Sequence, residues 1–176
     1  VVLDKSATGI NSKNNLTKIT SQYLALMANV AATYENQLGI RLLVQEIILT
    51  PDTPDYEDIP FEDNGETLEE FASWIRLWRP ESTFGQSAAI KFGAGLSGGT
   101  LGIAYLNSIH TRNGVGVLKE GFGWALPSHE IGHMFGADHS LGGVMNAQYN
   151  NSSRSYFKDI EGQQITAAKQ IHDRSR

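Results

Sequence analysis

Residues 129–139 read His-Glu-Ile-Gly-His-Met-Phe-Gly-Ala-Asp-His, and no other stretch of the chain constrains its fold as tightly. On a helix, His129 and His133 are four residues apart and share one face, so both rings can reach a single ion at about 2.0–2.1 Å. Glu130 stands beside them, better placed to hold and deprotonate a water than to ligate the ion. Gly136 is where such a helix stops. A glycine enters the left-handed region without a Cβ clash, so the chain turns sharply and His139 returns toward the ion as a third ligand. Three protein ligands leave a fourth position open, the pattern of a catalytic zinc site. Structural zinc sites are closed by four ligands, usually with cysteine, and this chain has no cysteine. Three imidazoles also accept cobalt, nickel or copper, so zinc is inferred from ligand type and availability.

The short HExxH pattern arises by chance in ordinary amphipathic helices, but Gly136 and His139 at their offsets make coincidence a poor account. A methionine follows in Gly142-Gly143-Val144-Met145-Asn146. At 176 residues the chain fits one domain with a sizeable core. Its net charge of −5, with 14 scattered Lys and Arg residues, argues against a nucleic-acid partner. No apolar run approaches the roughly 18 residues of a membrane span. The start Val1-Val2-Leu3-Asp4 has neither an initiator methionine nor a signal sequence, and a processed or trimmed chain is expected. Without cysteine there are no disulfides, which does not locate the protein.

Hydrophobic spacing predicts a mixed α/β (α+β) pattern. Over residues 11–37, Leu16, Ile19, Tyr23, Leu26, Met27, Val30 and Tyr34 recur at three-four spacing, predicting a long helix that Gly39 ends. Residues 40–49 are rich in branched side chains and read as a strand closed by Pro51. Residues 51–66 carry Asp52, Asp55, Glu57, Asp58, Glu62, Asp63 and Glu66 among three prolines. A solvated loop is expected there, and a Ca²⁺ site is the alternative, although the spacing is not that of an EF-hand. Thr67-Leu68-Glu69-Glu70 has capping-box character and opens a second helix, with Leu68, Phe71, Ile75 and Trp78 as its apolar stripe and Pro80 as its stop. Trp74 and Trp78 read as core packing. Residues 86–92, 101–106 and 115–118 are short apolar runs between glycine-rich turns, and together with the first strand they predict a twisted mixed sheet flanked by helices. The active-site helix is expected to begin near Pro127 and the last helix to run over 160–172.

HExxHxxGxxH followed by a methionine turn resembles the metzincin metallopeptidases. Phe71-Ala72-Ser73-Trp74-Ile75-Arg76, residues 99–106, and Asn29-Val30 with Tyr34, Leu38, Gly39 and Ile40-Arg41 look like the adamalysin (reprolysin) branch, over about residues 1–146. The segment from Met145 through Tyr149, Tyr156 and Phe157 into a final helix is fragilysin-like. Two departures stand out. Ser140 follows the third histidine where adamalysins usually carry Asp, a matrixin-like feature, and the disulfides common around adamalysin sites are missing. No His-x-Asp arrangement matches the additional structural zinc of matrixins. Astacins and serralysins often place a zinc-binding tyrosine two residues after the turn methionine, and here that position is Ala147.

The resemblance implies a single metzincin-like catalytic domain over 1–176, with an N-terminal subdomain of 1–136 and a small C-terminal subdomain of 137–176. It implies one catalytic Zn²⁺ on His129, His133 and His139, Glu130 as general base, and Met145 in a turn beneath the ligands. It also implies a sheet edge over 102–106, with Gly102, Ile103 and Ala104 at the cleft, that pairs with an extended substrate, and a side-chain pocket walled by 144–149, with Ala147 and Tyr149 as lining. The expected partners are a polypeptide substrate and an inhibitory propeptide since removed. The domain is expected to be monomeric and, by resemblance alone, secreted. His110 and His172 have no ligand-spaced partner and read as structural or solvent-facing. Asp138 reads as a second-sphere orienter or a surface cap, and Glu46 as a strand carboxylate. An endopeptidase is the leading reading because the ligands and Glu130 are all intact. The alternatives are a zinc-stabilised protein-binding module and a zinc hydrolase of small amides or esters.

Overall fold

The computed structural model describes residues 1–4, 16–50, 64–78, 88–93, 96, 98–148 and 156–174. In chain order the elements are β1 (Val2–Asp4), α1 (Leu16–Leu38), β2 (Ile48–Thr50), α2 (Asn64–Trp78), β3 (Ala89–Phe92), β4 (Gly102–Ala104), β5 (Val115–Leu118), α3 (Ala125–Met134) and α4 (Asp159–Arg174). The strands form one mixed sheet in the order β2-β1-β3-β5-β4. The first four are mutually parallel, and β4 runs antiparallel to β5 at the edge.

Alternation along the strands sends side chains to two cores. Leu3, Ile90, Phe92 and Leu118 face α1 and α3, where they meet Ile19, Met27, Val30, Tyr34, Leu126 and Met134. Ala89, Val115 and Val117 face Leu68, Phe71, Ala72 and Ile75 of α2. Such two-sided burial is what parallel strands require, since crossover helices cover both faces. Of the stripe read from the sequence of α1, Ile19, Met27, Val30 and Tyr34 are buried and Tyr23 and Leu26 partly so, and the helix ends where Gly39 takes a φ of +63°. There Gly39 N donates to Glu35 O at 3.1 Å and Ile40 N to Tyr34 O at 3.2 Å.

Several element boundaries differ from expectation, the edge strand among them, which covers Gly102–Ala104 of the 102–106 expected. Of the strand expected over 40–49, only Ile48–Thr50 is strand, because a strand needs a partner and β1 pairs with those residues alone. Upstream of it Leu43 and Val44 are exposed, and Glu46, outside the strand, offers its carbonyl to Val1 N at 2.8 Å. Helix α2 begins at Asn64, so Thr67 is a buried residue inside the helix rather than its cap. Helix α3 begins at Ala125, two residues before Pro127. The last helix extends one residue earlier and two later than expected. The start of the first helix expectation, 11–15, and residues 51–63 of the acidic segment with its calcium alternative lie outside the described residues.

Two sets of contacts fix the elements that matter for the site. Tyr105, immediately after β4, donates its hydroxyl to Glu69 Oε2 of α2 at 2.5 Å, and Arg76 Nη2 reaches Glu69 Oε1 at 2.5 Å. Arg76 also donates to Asn113 Oδ1 at 3.3 Å, so the sheet edge is tied to α2. Burial and the Glu69 carboxylate push the Tyr105 phenol up to about 12, which keeps it a donor. On the other face, Tyr34 of α1 donates its hydroxyl to Ser128 O in α3 at 2.8 Å, while its ring packs on Phe135 and Phe157. Burial, then the nearby Glu130, raises the Tyr34 phenol well above its ordinary value. Tyr34→Phe keeps the ring and removes one buried hydrogen bond, so it is expected to cost about 1 kcal/mol. In a domain of this size that is a fall of roughly 2–4 °C in Tm by calorimetry. An unchanged Tm would mean that this bond does not hold α3 to α1.

Candidate metal centre

Helix α3 carries His129, Glu130 and His133, and its end is built to return the chain. Gly136 adopts a φ of +92°. Gly136 N donates to His133 O at 2.8 Å and Ala137 N to Gly132 O at 3.0 Å, the paired bonds of a Schellman turn. The loop after β4 satisfies further carbonyls at the same end: Asn107 N donates to His133 O at 2.8 Å and Ile109 N to Met134 O at 2.9 Å. Three residues after Gly136, His139 faces the two helix histidines.

The three Nε2 atoms lie 3.0, 3.1 and 3.2 Å apart. Those separations are not hydrogen bonds. His129 Nδ1 lies 2.7 Å from Val144 O and His133 Nδ1 lies 2.7 Å from Ala137 O. A carbonyl only accepts, so each Nδ1 carries the proton and each of these two Nε2 atoms presents a lone pair. Lone pairs converging at this distance repel one another unless a cation lies among them. Ligands at about 2.0–2.1 Å from a tetrahedral zinc are about 3.3 Å apart, close to what the cage shows. The donor set and spacing therefore fit a zinc ion. Burial lowers the His133 pKa from 6.5, with His139 adding to the fall, while the bond to Ala137 and the Asp138 charge oppose it. The net effect keeps its lone pair available at neutral pH.

Glu130 is buried and comes within close range of the edge strand. A Cβ built on Gly102 would sit 2.6 Å from Glu130 Oε1, so only glycine lets the carboxylate approach β4 this nearly. Gly132 shows the same logic behind the cage, where a Cβ would sit 2.4 Å from Met145 Sδ. Met145 is fully buried directly against the active-site helix, and Gly136 shapes the turn without lining the cleft. A cleft of about 780 Å³ brings together the three histidines, Glu130, Gly102, Ile103, Ala104 and Ala147. Tyr149 lies outside the described residues. His110 sits in a turn at a φ of +65° and is not part of the cage, while the side chain of His172 is not among those described. Asp138 is exposed at the cleft, and its backbone N donates to Gln164 Oε1 of α4 at 3.3 Å.

Sequence reading missed Leu126 of the cleft wall, whereas Leu106 and Gln148 fall within the segments expected to line it. Leu126 is one turn before Glu130 on the same helix, a signal that was available. It also missed Val144 O and Ala137 O as the acceptors that fix two imidazole tautomers, because a carbonyl leaves no mark in a sequence.

Protons compete with the ion for the same lone pairs. His133 is depressed in the folded state, so its contribution to stability is complete above its ordinary value of 6.5 and is lost as pH falls through the lower folded value. Zinc affinity, measured by competition with a chelator, is expected to stay nearly level from about pH 7 to 8 and to fall steeply below about pH 6. An affinity unchanged down to about pH 5 would rule out a cage of imidazoles.

A search of curated proteins returned no match to this chain. The sequence does match Reprolysin_5, metallo-peptidase family M12, over residues 1–172. With that match spanning nearly the whole chain, and three histidines gathered as a metal group on an α+β scaffold, the chain belongs to the reprolysin-type metallopeptidases of family M12, metzincin hydrolases of peptide bonds.

Proposed function

We propose that this domain is a zinc-dependent endopeptidase that cuts internal bonds of extended polypeptides. The observation that carries this reading is the cleft itself, in which the three-histidine cage, the Glu130 carboxylate and the edge strand of the described sheet line one open groove. His129, His133 and His139 would hold the zinc, which would supply Lewis acidity for hydrolysis at this place. Glu130 accepts the water's proton and returns it to the departing amine nitrogen, a general base and then a general acid on one carboxylate. Burial against Gly102 holds that carboxylate at the wall where a substrate backbone would lie. Among the described residues no strand pairs with the outer edge of β4, and in this reading its main-chain groups pair with an extended peptide on that side. Gly102 and Ala104 face the active-site helix, whereas Ile103 packs toward α2. Ala147 and Gln148 also line the groove and provide side-chain selection in this reading. Action outside the cell, in monomeric form and after removal of an inhibitory segment, rests on the family resemblance.

A proteome-derived peptide mixture incubated with the zinc-loaded domain and with its Glu130→Ala variant, read by mass spectrometry, tests the proposal. New internal cuts are expected from the wild type, with at least a hundred-fold loss in the variant, as removal of a general base implies (about 10²–10⁴). Turnover of short capped amides without internal cuts would favour a small-substrate hydrolase. No turnover of either kind by folded, zinc-loaded protein would favour a binding module. Gly102→Ala is a finer probe: its methyl group displaces Glu130, so kcat is expected to fall by about ten-fold or more while zinc affinity holds. Unchanged kcat would show that Glu130 does not need its close approach to β4.

A further inference from the structure

Glu161 lies in the first turn of α4, a place where an acidic residue usually serves the helix from solvent. Here it is fully buried. Its Oε2 accepts from Lys158 N at 2.9 Å, the reach-back half of a capping box. Its Oε1 accepts the hydroxyl of Ser140, the residue that follows the third histidine. Capping explains the first bond but not the burial, because an exposed glutamate caps equally well. A buried carboxylate is tolerated only when it is hydrogen-bonded, and the loop over 139–146 supplies a donor through Ser140.

That loop is folded around the carboxylate. Gly143 has a φ of +69°, and a Cβ there would sit 3.3 Å from both carboxylate oxygens. Ser140 N donates to Met145 O at 2.9 Å and Val144 N to Tyr156 O at 2.9 Å, closing the loop on itself and on the chain entering α4. The loop delivers two components of the cage: His139, adjacent to Ser140, and Val144 O, which receives the His129 Nδ1 proton.

We propose that Glu161 is a positioning residue for the metal cage, acting through Ser140 on His139 and through the loop on Val144 O and hence on His129. This assignment rests on the reading of the three histidines as a zinc site. Glu161 touches neither ion nor substrate. It holds the one ligand that is not on the helix, together with the carbonyl that orients one of those that are. Partners of this kind, one step removed from the ion, alter metal affinity by about 10–100-fold when lost.

The test compares wild type, Ser140→Ala, Glu161→Gln and Glu161→Ala for zinc affinity by chelator competition, for the visible spectrum of the Co²⁺-substituted protein, and for thermal unfolding of the metal-free form. Ser140→Ala and Glu161→Ala are expected to weaken zinc by about ten-fold or more and to shift the Co²⁺ bands. Glu161→Gln, which keeps the shape and one acceptor, recovers most of the affinity and the wild-type spectrum. A mere helix cap predicts something else. In that case Glu161→Ala lowers the unfolding temperature, while its folded fraction keeps wild-type affinity and spectrum, and Ser140→Ala moves nothing; that result overturns the proposal. If Glu161→Ala does not fold, Ser140→Ala decides alone, since it leaves the bond to Lys158 N in place. A wild type that binds no zinc removes the cage reading and this assignment with it, whereas normal wild-type binding with unmoved variants removes the assignment only.

Discussion

Three imidazole nitrogens within 3.0–3.2 Å of one another are the constraint around which the rest of this molecule is arranged. The ring atoms alone cannot maintain it. In the metal-free chain, lone pairs at that distance push apart, and the folded scaffold has to oppose that push before any ion arrives. The scaffold does so by fixing the far side of the rings. Val144 O and Ala137 O each hold an Nδ1 proton at 2.7 Å, and both carbonyls belong to the chain after α3 rather than to the helix. The cage is therefore only as rigid as the segment 135–146. That segment is secured at its start by the turn at Gly136 and the loop over 107–109, and at its end by Met145 pressed against Gly132.

The two cores divide the work around this cage. On one face, α1 supports α3 through Tyr34, whose hydroxyl reaches the Ser128 carbonyl next to the first ligand. On the other face, α2 supports the sheet edge, with Glu69 and Arg76 holding Tyr105 where β4 ends. The groove lies where these two supports meet. Glycine marks the places where backbone and functional groups come closest: Gly102 under Glu130, Gly132 under Met145, and Gly116 under Met134, whose Cε would be 2.8 Å from an added Cβ. At each of them a methyl group would displace the end of a side chain that the site packs there.

What was legible in the sequence follows from the range of the interactions involved. The ligand spacing, the stop at Gly136 and the apolar stripes of α1 and α2 are encoded within a few residues by helix geometry, and the structure buries Ile19, Met27, Val30 and Tyr34 of the one and Leu68, Phe71 and Ile75 of the other. The strand expected over 40–49 shrank to Ile48–Thr50 because strand formation depends on a partner far along the chain, which no local pattern of branched residues specifies. The early start of α2 had a similar cause. Thr67 looked like a cap, but it lies fully buried inside the helix. Glu161 was the least legible of all. Its capping-box partner position holds Lys158, which is no capping residue, and its other partner is Ser140 on a different element.

Ser140 and the lack of cysteine set this chain apart from the adamalysin pattern, and the structure connects the two departures. A disulfide near a metal site restricts how far its loops can move. Without one, this chain fastens the same region by polar contacts. Ser140 reaches Glu161, Lys158 Nζ reaches Leu141 O, Val144 N reaches Tyr156 O, and Phe157 N reaches Gln37 Oε1 of α1 at 2.7 Å. These contacts converge on the short stretch from Tyr156 to Glu161, which meets both the ligand loop and the long helix beneath the site. They differ from a covalent link in a way that matters for function: a disulfide acts largely on the unfolded chain, whereas hydrogen bonds to a buried carboxylate act on the folded state alone and only at the geometry that satisfies them. A serine after the third histidine thus belongs to a design in which loop order is set by a buried acceptor on the last helix rather than by cross-linking.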